Sequence, residues 1–171
     1  YFKNRAGDKA KAPKFLWNAK MRFGKTFATY QLARAMDWKR VLVLTYKPAV
    51  QAAWHDDLLN HVDFAGWCFI DRDSSLTMRA SAASSKDKQV WFASFQDLNG
   101  RTADGQIKAH NEAIHQIDWD CIVIDEYHFG AWRDAARDLY DPTEKSLAER
   151  EEPQDSIDDE DLGLKSAHYL Y

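Results

Sequence analysis

Residues 15–29 read FLWNAKMRFGKTFAT: a short apolar strand, a tight loop and the first turn of a helix. The core of this stretch, Ala19-Lys20-Met21-Arg22-Phe23-Gly24-Lys25-Thr26, fits G-x-x-x-x-G-K-[ST] with Ala19 in place of the first glycine. That exchange is tolerated where the backbone keeps a negative φ. In such a loop the backbone N–H groups and the positive end of the following helix surround a β-phosphate, and a lysine reaches the β- and γ-oxygens. Lys25 is that lysine, and Gly24 lets the backbone approach the phosphates. The Thr26 hydroxyl is placed to hold Mg²⁺, a hard cation that keeps most of its waters.

A second stretch strengthens this reading. Residues 121–128, CIVIDEYH, form an apolar strand that ends in two carboxylates. A strand-end Asp beside a phosphate loop binds the water shell of Mg²⁺, and an adjacent Glu can polarise the attacking water. Asp125 and Glu126 fit those two roles. A solvated acidic turn would explain the carboxylates by themselves, but not their company with the loop.

Composition bounds the alternatives. With 171 residues, 45% hydrophobic and 13% aromatic, the chain can bury one substantial core and reads as a single domain. No apolar run approaches the ~20 residues of a membrane span, and the N-terminus lacks the apolar segment of a secretory signal. Cys68 and Cys121 are expected to be core thiols, which suits a reducing cytoplasm, and no zinc spacing is present. His55, His61, His110 and His115 are spread along expected helices and read as surface residues. The net charge of −4 hides an asymmetry: residues 138–161 carry −9, whereas residues 1–137 carry +4. A mildly basic body suits a polyanionic partner.

Along the chain, residues 1–13 read as a basic loop or helical lead-in, expected to be solvated. The first strand starts at Phe15, Leu16 and Trp17. Residues 25–36 follow with apolar positions at helical spacing: Phe27, Tyr30, Leu32, Ala33 and Met36. Val41-Leu42-Val43-Leu44 is a continuous aliphatic run typical of a central parallel strand. Strand, crossover helix, strand is the start of an open α/β sheet, which places ligands at its strand ends. Tyr46-Lys47-Pro48 occupies such an end, before a helix with Pro48 in its first turn.

Further strands are expected at 67–70 and 90–93, separated by a mobile Ser- and Ala-rich loop with one short helix. Ser94-Phe95-Gln96-Asp97-Leu98 sits at the end of the second of these, before an Asn99-Gly100 turn. Residues 106–117 return to helical spacing. A short helix is expected to about Leu139, ended by Asp141-Pro142. Residues 141–163 read as an acidic, disordered insert, and 167–171 as a last core strand inside which the sequence stops.

The order of motifs, AKMRFGKT, VLVLTYKP, FASFQDL and IVIDEYH, resembles the first RecA-like domain of superfamily 2 helicases and translocases of the DEAD/DEAH-box type. Within that group it is most similar to the motor subunits of type I and type III restriction enzymes. The resemblance implies an α/β P-loop NTPase whose open, mostly parallel sheet carries helices on both faces, with the whole of 1–171 as one N-terminal RecA-like domain. It implies ATP and Mg²⁺ as cofactors: Ala19 to Thr26 around the nucleotide, Thr26 and Asp125 on the metal through water, and Lys25, Asp125 and Glu126 as the catalytic set.

His128 matches the last position of a D-E-x-H box and is implied in coupling. Tyr46, Lys47, Pro48, Ser94 and Gln96 match motifs that contact a nucleic-acid backbone. The implied partners are DNA, a second RecA-like domain, and a nuclease or methyltransferase subunit in restriction or phage defence. RNA stays open as the polymer, and no upstream Gln motif for adenine is present.

A nucleotide-dependent switch or scaffold is the alternative reading. The intact Lys25, Asp125 and Glu126 argue against it, because a scaffold has no need of a water-activating carboxylate. A P-loop kinase is disfavoured because the acidic pair lies about a hundred residues beyond the loop, beside a His, and no arginine-rich lid follows. The second domain would supply arginine fingers worth ~10³–10⁵ in rate. The 171-residue chain by itself is therefore predicted to bind Mg-ATP weakly and hydrolyse it poorly; robust stand-alone, DNA-stimulated turnover in a phosphate-release assay would contradict this.

Overall fold

The computed structural model describes residues 1–5, 12–17, 19, 23–98, 100, 102, 104–125 and 163–171. In chain order the elements are α1 (Phe2–Arg5), β1 (Lys14–Phe15), α2 (Lys25–Ala35), β2 (Arg40–Thr45), a 3-10 turn Pro48–Val50 leading into α3 (Gln51–Leu59), a second 3-10 turn Val62–Phe64, and β3 (Cys68–Ile70). There follow α4 (Leu76–Ser84), β4 (Gln89–Ser94), α5 (Phe95–Leu98), α6 (Ala109–Gln116), β5 (Asp118–Trp119), β6 (Cys121–Asp125), β7 (Lys165–Ser166) and β8 (Tyr169–Leu170). Several expectations fall outside the described residues: Lys20, Met21, Arg22, Asn99, Glu126, His128, the helix towards Leu139, and the acidic stretch as far as 162.

The main sheet has six strands in the order β1-β8-β6-β2-β4-β3, and every pairing in it is parallel. β2 is central, and from Val41 onward all its residues are buried. That is why its sequence shows no polar alternation: helices cover both faces of a parallel sheet. The pleat divides the strand residues between two cores. Val41, Val43, Val90, Phe92, Cys121 and Val123 pack with Tyr30 of α2 and with Trp54 and Leu58 of α3. Leu42, Leu44, Trp91, Ala93, Ile122 and Ile124 pack with Phe95 of α5 and Ile114 of α6. The fold is thus the open, parallel α/β arrangement that the sequence predicts.

Several local expectations need correction, the solvated lead-in among them: Phe2 of α1 is 5% exposed and lies in the core. Cys121 is a core thiol, with burial pushing its pKa up, but Cys68 is exposed because β3 is the margin of the sheet. Phe27 is 37% exposed and Thr29 is buried in its place, so the inward stripe of α2 runs Thr29, Tyr30 and Ala33. Within residues 71–89 the one expected helix is the nine-residue α4. Ser75 caps it, its hydroxyl accepting from Met78 N at 3.2 Å. Buried Arg79 docks it with the guanidinium 5.0 Å from the Trp91 ring centre. Finally, His55, His61, His110 and His115 are all half-buried rather than surface residues, and the Nε2 atoms of His110 and His115 are buried.

His110 has a buried Nε2 with no hydrogen-bond partner among the described residues. Its pKa is lowered, first by burial and then by the nearby Arg79, Arg72 and Lys108, while Asp97 opposes them. The unfolded chain therefore takes up this proton near the ordinary histidine value of about 6.5, and the folded chain only at lower pH. Folding stability is expected to fall as pH drops below about 6.5, and His110→Gln should flatten that slope in denaturant titrations at pH 7.5 and 5.5.

Candidate nucleotide-binding site

Parallel pairing brings the carboxyl ends of the strands to one edge. In the ladder Thr45 of β2 lies opposite both Ser94 of β4 and Asp125 of β6, so the three strand-end motifs share one level. The chain leaves β1 at the same edge. Trp17 N donates to Tyr171 O at 2.7 Å and Ala19 N to Trp17 O at 2.8 Å, fixing the start of the loop beside the last strand.

α2 begins at the far end of that loop. Gly24 is its N-cap at φ 83 and ψ 39, a left-handed conformation, with no side-chain cap. The first-turn N–H groups of α2 have no intrahelical acceptor and face the edge as donors. Lys25 and Thr26 follow, both half-buried. The Thr29 hydroxyl donates to Lys25 O at 2.8 Å and tightens the first turn. Phe23 stands 58% exposed and meets the Trp17 ring edge-on at 5.8 Å.

Lys25 and the strand-end carboxylate converge: Lys25 Nζ is 3.5 Å from Asp125 Oδ1. The Asp125 side chain is 10% exposed and that of Lys25 is 40% exposed. A half-exposed pair of this kind contributes under about 1 kcal/mol, so its significance is placement rather than stability. The other carboxylate oxygen, Oδ2, accepts from Trp54 Nε1 at 2.9 Å. Sequence reasoning missed Trp54. Its signal was present: Val50, Trp54 and Leu58 form an i, i+4, i+8 stripe after Pro48, and a buried indole N–H requires an acceptor.

The residues matched to nucleic-acid motifs divide by exposure. Lys47, Pro48 and Gln96 are exposed at the edge. Tyr46 stacks on Phe95, with ring centres 4.5 Å apart and planes at 20°. Ser94 is buried, and its hydroxyl donates to Asp97 Oδ2 at 2.9 Å while accepting from Asp97 N at 3.1 Å. Arg72, which sequence reasoning did not single out, pairs with Asp97 Oδ1 at 2.7 Å.

An all-parallel main sheet with a lysine-bearing helix start and a strand-end aspartate meeting at its carboxyl edge defines a RecA-like, helicase-type domain. Residues 9–147 match the family model described as "Type III restriction enzyme, res subunit", and the chain belongs to that family. A curated relative from Mycoplasma pneumoniae, named "Putative type II restriction enzyme and methyltransferase RM.MpnORF110P C-terminus", is 33% identical over 162 residues, covering 92% of this chain. The chain spans about 22% of that relative's length. No solved structure matches the chain. Among the described residues no helix is long and apolar enough to cross a membrane.

A Cβ at Gly24 would meet no atom of the described residues within 4 Å, so within the protein the preference for glycine comes from its left-handed backbone. Gly24→Ala is expected to cost about 1 kcal/mol of folding free energy through the left-handed φ, read as a lower midpoint in urea unfolding.

Proposed function

We propose that this chain is the ATP-binding motor domain of a DNA helicase or translocase, in which ATP hydrolysis drives movement on duplex DNA during restriction or phage defence. The observation that carries the reading is the 3.5 Å approach of Lys25 to Asp125, residues a hundred positions apart. A phosphate-binding lysine and a metal-binding carboxylate must share one site for phosphoryl transfer, and this separation suits that requirement.

The residues available also suit Mg²⁺. Thr26 offers a hydroxyl and Asp125 a carboxylate, both hard oxygen donors, and few protein ligands are needed because Mg²⁺ keeps most of its waters. When bound, the ion neutralises charge on the β- and γ-phosphate oxygens. Lys25 and the first N–H groups of α2 hold those phosphates, with Ala19 to Gly24 wrapping them. Asp125 holds the metal's water shell, and Glu126, next in sequence, orients the attacking water. His128 couples the site to neighbouring motifs.

Lys47, Pro48 and Gln96 support a path for a nucleic-acid backbone along the same edge, with Tyr46 and Ser94 shaping it from beneath. A second RecA-like domain would complete the γ-phosphate site with arginines, and 1–171 would then be a single cytoplasmic motor module. The family and the relative's printed name favour nuclease and methyltransferase activities as companions of that module.

The deciding experiment measures ATP hydrolysis by the longest natural polypeptide containing this segment, with no nucleic acid, duplex DNA, single-stranded DNA or RNA. Strong stimulation by duplex DNA is expected, lost in Glu126→Gln with ATP still bound, and binding itself should be lost in Lys25→Ala. Equal basal rates under every condition would reject the motor and leave the nucleotide-dependent switch; preference for RNA would move the reading to an RNA helicase.

A further inference from the structure

We infer that Trp54 is a positioning residue of the nucleotide site, its indole N–H fixing the rotation of the Asp125 carboxylate. The inference rests on the proposed Mg-ATP reading. Asp125 ends a strand, and the χ2 torsion of an aspartate is broad and soft. Backbone pairing alone therefore leaves the plane of the carboxylate undetermined.

Trp54 removes that freedom. Its Nε1 donates to Oδ2 at 2.9 Å, while Oδ1 lies 3.5 Å from Lys25 Nζ. The two oxygens thus have separate duties: one faces the core and the other faces the phosphate lysine.

The donor is itself held. Trp54 is 2% exposed, and the Tyr30 ring meets it edge-on at 5.5 Å. The Tyr30 hydroxyl donates to Trp54 O at 2.6 Å, tying α2 to α3 directly behind Lys25. A phenylalanine would fill most of the same space, so packing alone gives no reason for the N–H to aim at a carboxylate. A neutral donor also has an advantage over a lysine here, because it orients the carboxylate without cancelling its charge. Partners of this kind behind a metal-binding carboxylate typically change metal affinity or activity by 10–100-fold.

The test uses the longest natural polypeptide, a non-hydrolysable ATP analogue, and Mn²⁺ as an EPR-visible substitute for Mg²⁺. Trp54→Phe is expected to weaken Mn²⁺ binding to the nucleotide-loaded protein by roughly 10-fold or more, with metal-free nucleotide affinity unchanged. A second variant carries benzothienylalanine at position 54, which replaces the indole N–H with sulfur at nearly constant volume, and it should show the same loss at an unchanged thermal midpoint. Mn²⁺ affinity equal to wild type in the benzothienyl variant would overturn the inference while leaving the nucleotide site standing. Failure of the wild type to bind Mn²⁺ with nucleotide would overturn the nucleotide reading and this inference with it.

Discussion

The parallel pairing of β2 with β6 is the constraint from which the site follows. Parallel strands cannot be joined by tight turns, so each must be reached through a crossover that returns the chain to the opposite edge. All carboxyl ends therefore emerge together, and Thr45, Ser94 and Asp125 stand in one row. The α2 helix starts at that edge because it is the crossover between β1 and β2. Lys25 and Asp125 meet as a consequence of this topology and contribute little to maintaining it. The stabilising term is the burial of the apolar runs at 41–44, 90–93 and 121–124, which the two helical layers remove from water.

The two layers are chemically different, and the difference bears on the site. Behind the Lys25 edge the core is strongly aromatic: Tyr30, Trp54, Phe64 and Trp67 contact one another edge-on between α2 and α3. Buried aromatic tips need polar partners. On the opposite face Trp119 Nε1 finds one in a nearby backbone carbonyl, Ile114 O at 3.1 Å, a local bond with no reach beyond α6. Trp54 instead donates across 71 residues to the carboxylate at the end of β6. Satisfaction of a core donor and orientation of a strand-end carboxylate are thus the same hydrogen bond, which links the packing of α3 to the geometry of the edge.

Much of this was legible in the sequence because burial on both faces leaves an unambiguous record. Val41 to Leu44 and Cys121 to Ile124 contain no polar interruption, the record that a central parallel strand covered on both faces leaves. The Gly24-Lys25-Thr26 turn was legible for a different reason, since its chemistry requires particular residue types at fixed spacing. What escaped was whatever pattern cannot encode. β5 and β7 are two-residue strands with Asp118 and Lys165 at the surface, too short to show a period. α4 is anchored by Arg79, a residue type that reads as solvent-facing until its guanidinium is seen over Trp91. The aim of Trp54 at Asp125 depends on the relative placement of α3 and β6, which spacing along the chain does not specify.

The carboxyl edge of the sheet offers little to a polyanion through its sequence-matched residues. Just past β2, Tyr46 stacks on Phe95 and Lys47 is exposed, while the Ser94 hydroxyl is occupied by Asp97. Arg72 lies close by, but Asp97 already balances its charge at 2.7 Å. Among the sequence-matched contacts, Lys47 is therefore the exposed cation, and each phosphate neutralised by a protein adds only about −0.9 to the salt dependence of binding to duplex DNA. Under the proposed function, this edge alone would supply a weak, guiding contact. Productive grip on a nucleic acid would come from a second surface closing over the same strand, and closure is also what would bring an arginine to the γ-phosphate. Grip and hydrolysis would then depend on one movement, the economical arrangement for a motor whose sequence-matched contacts at this edge include one lysine.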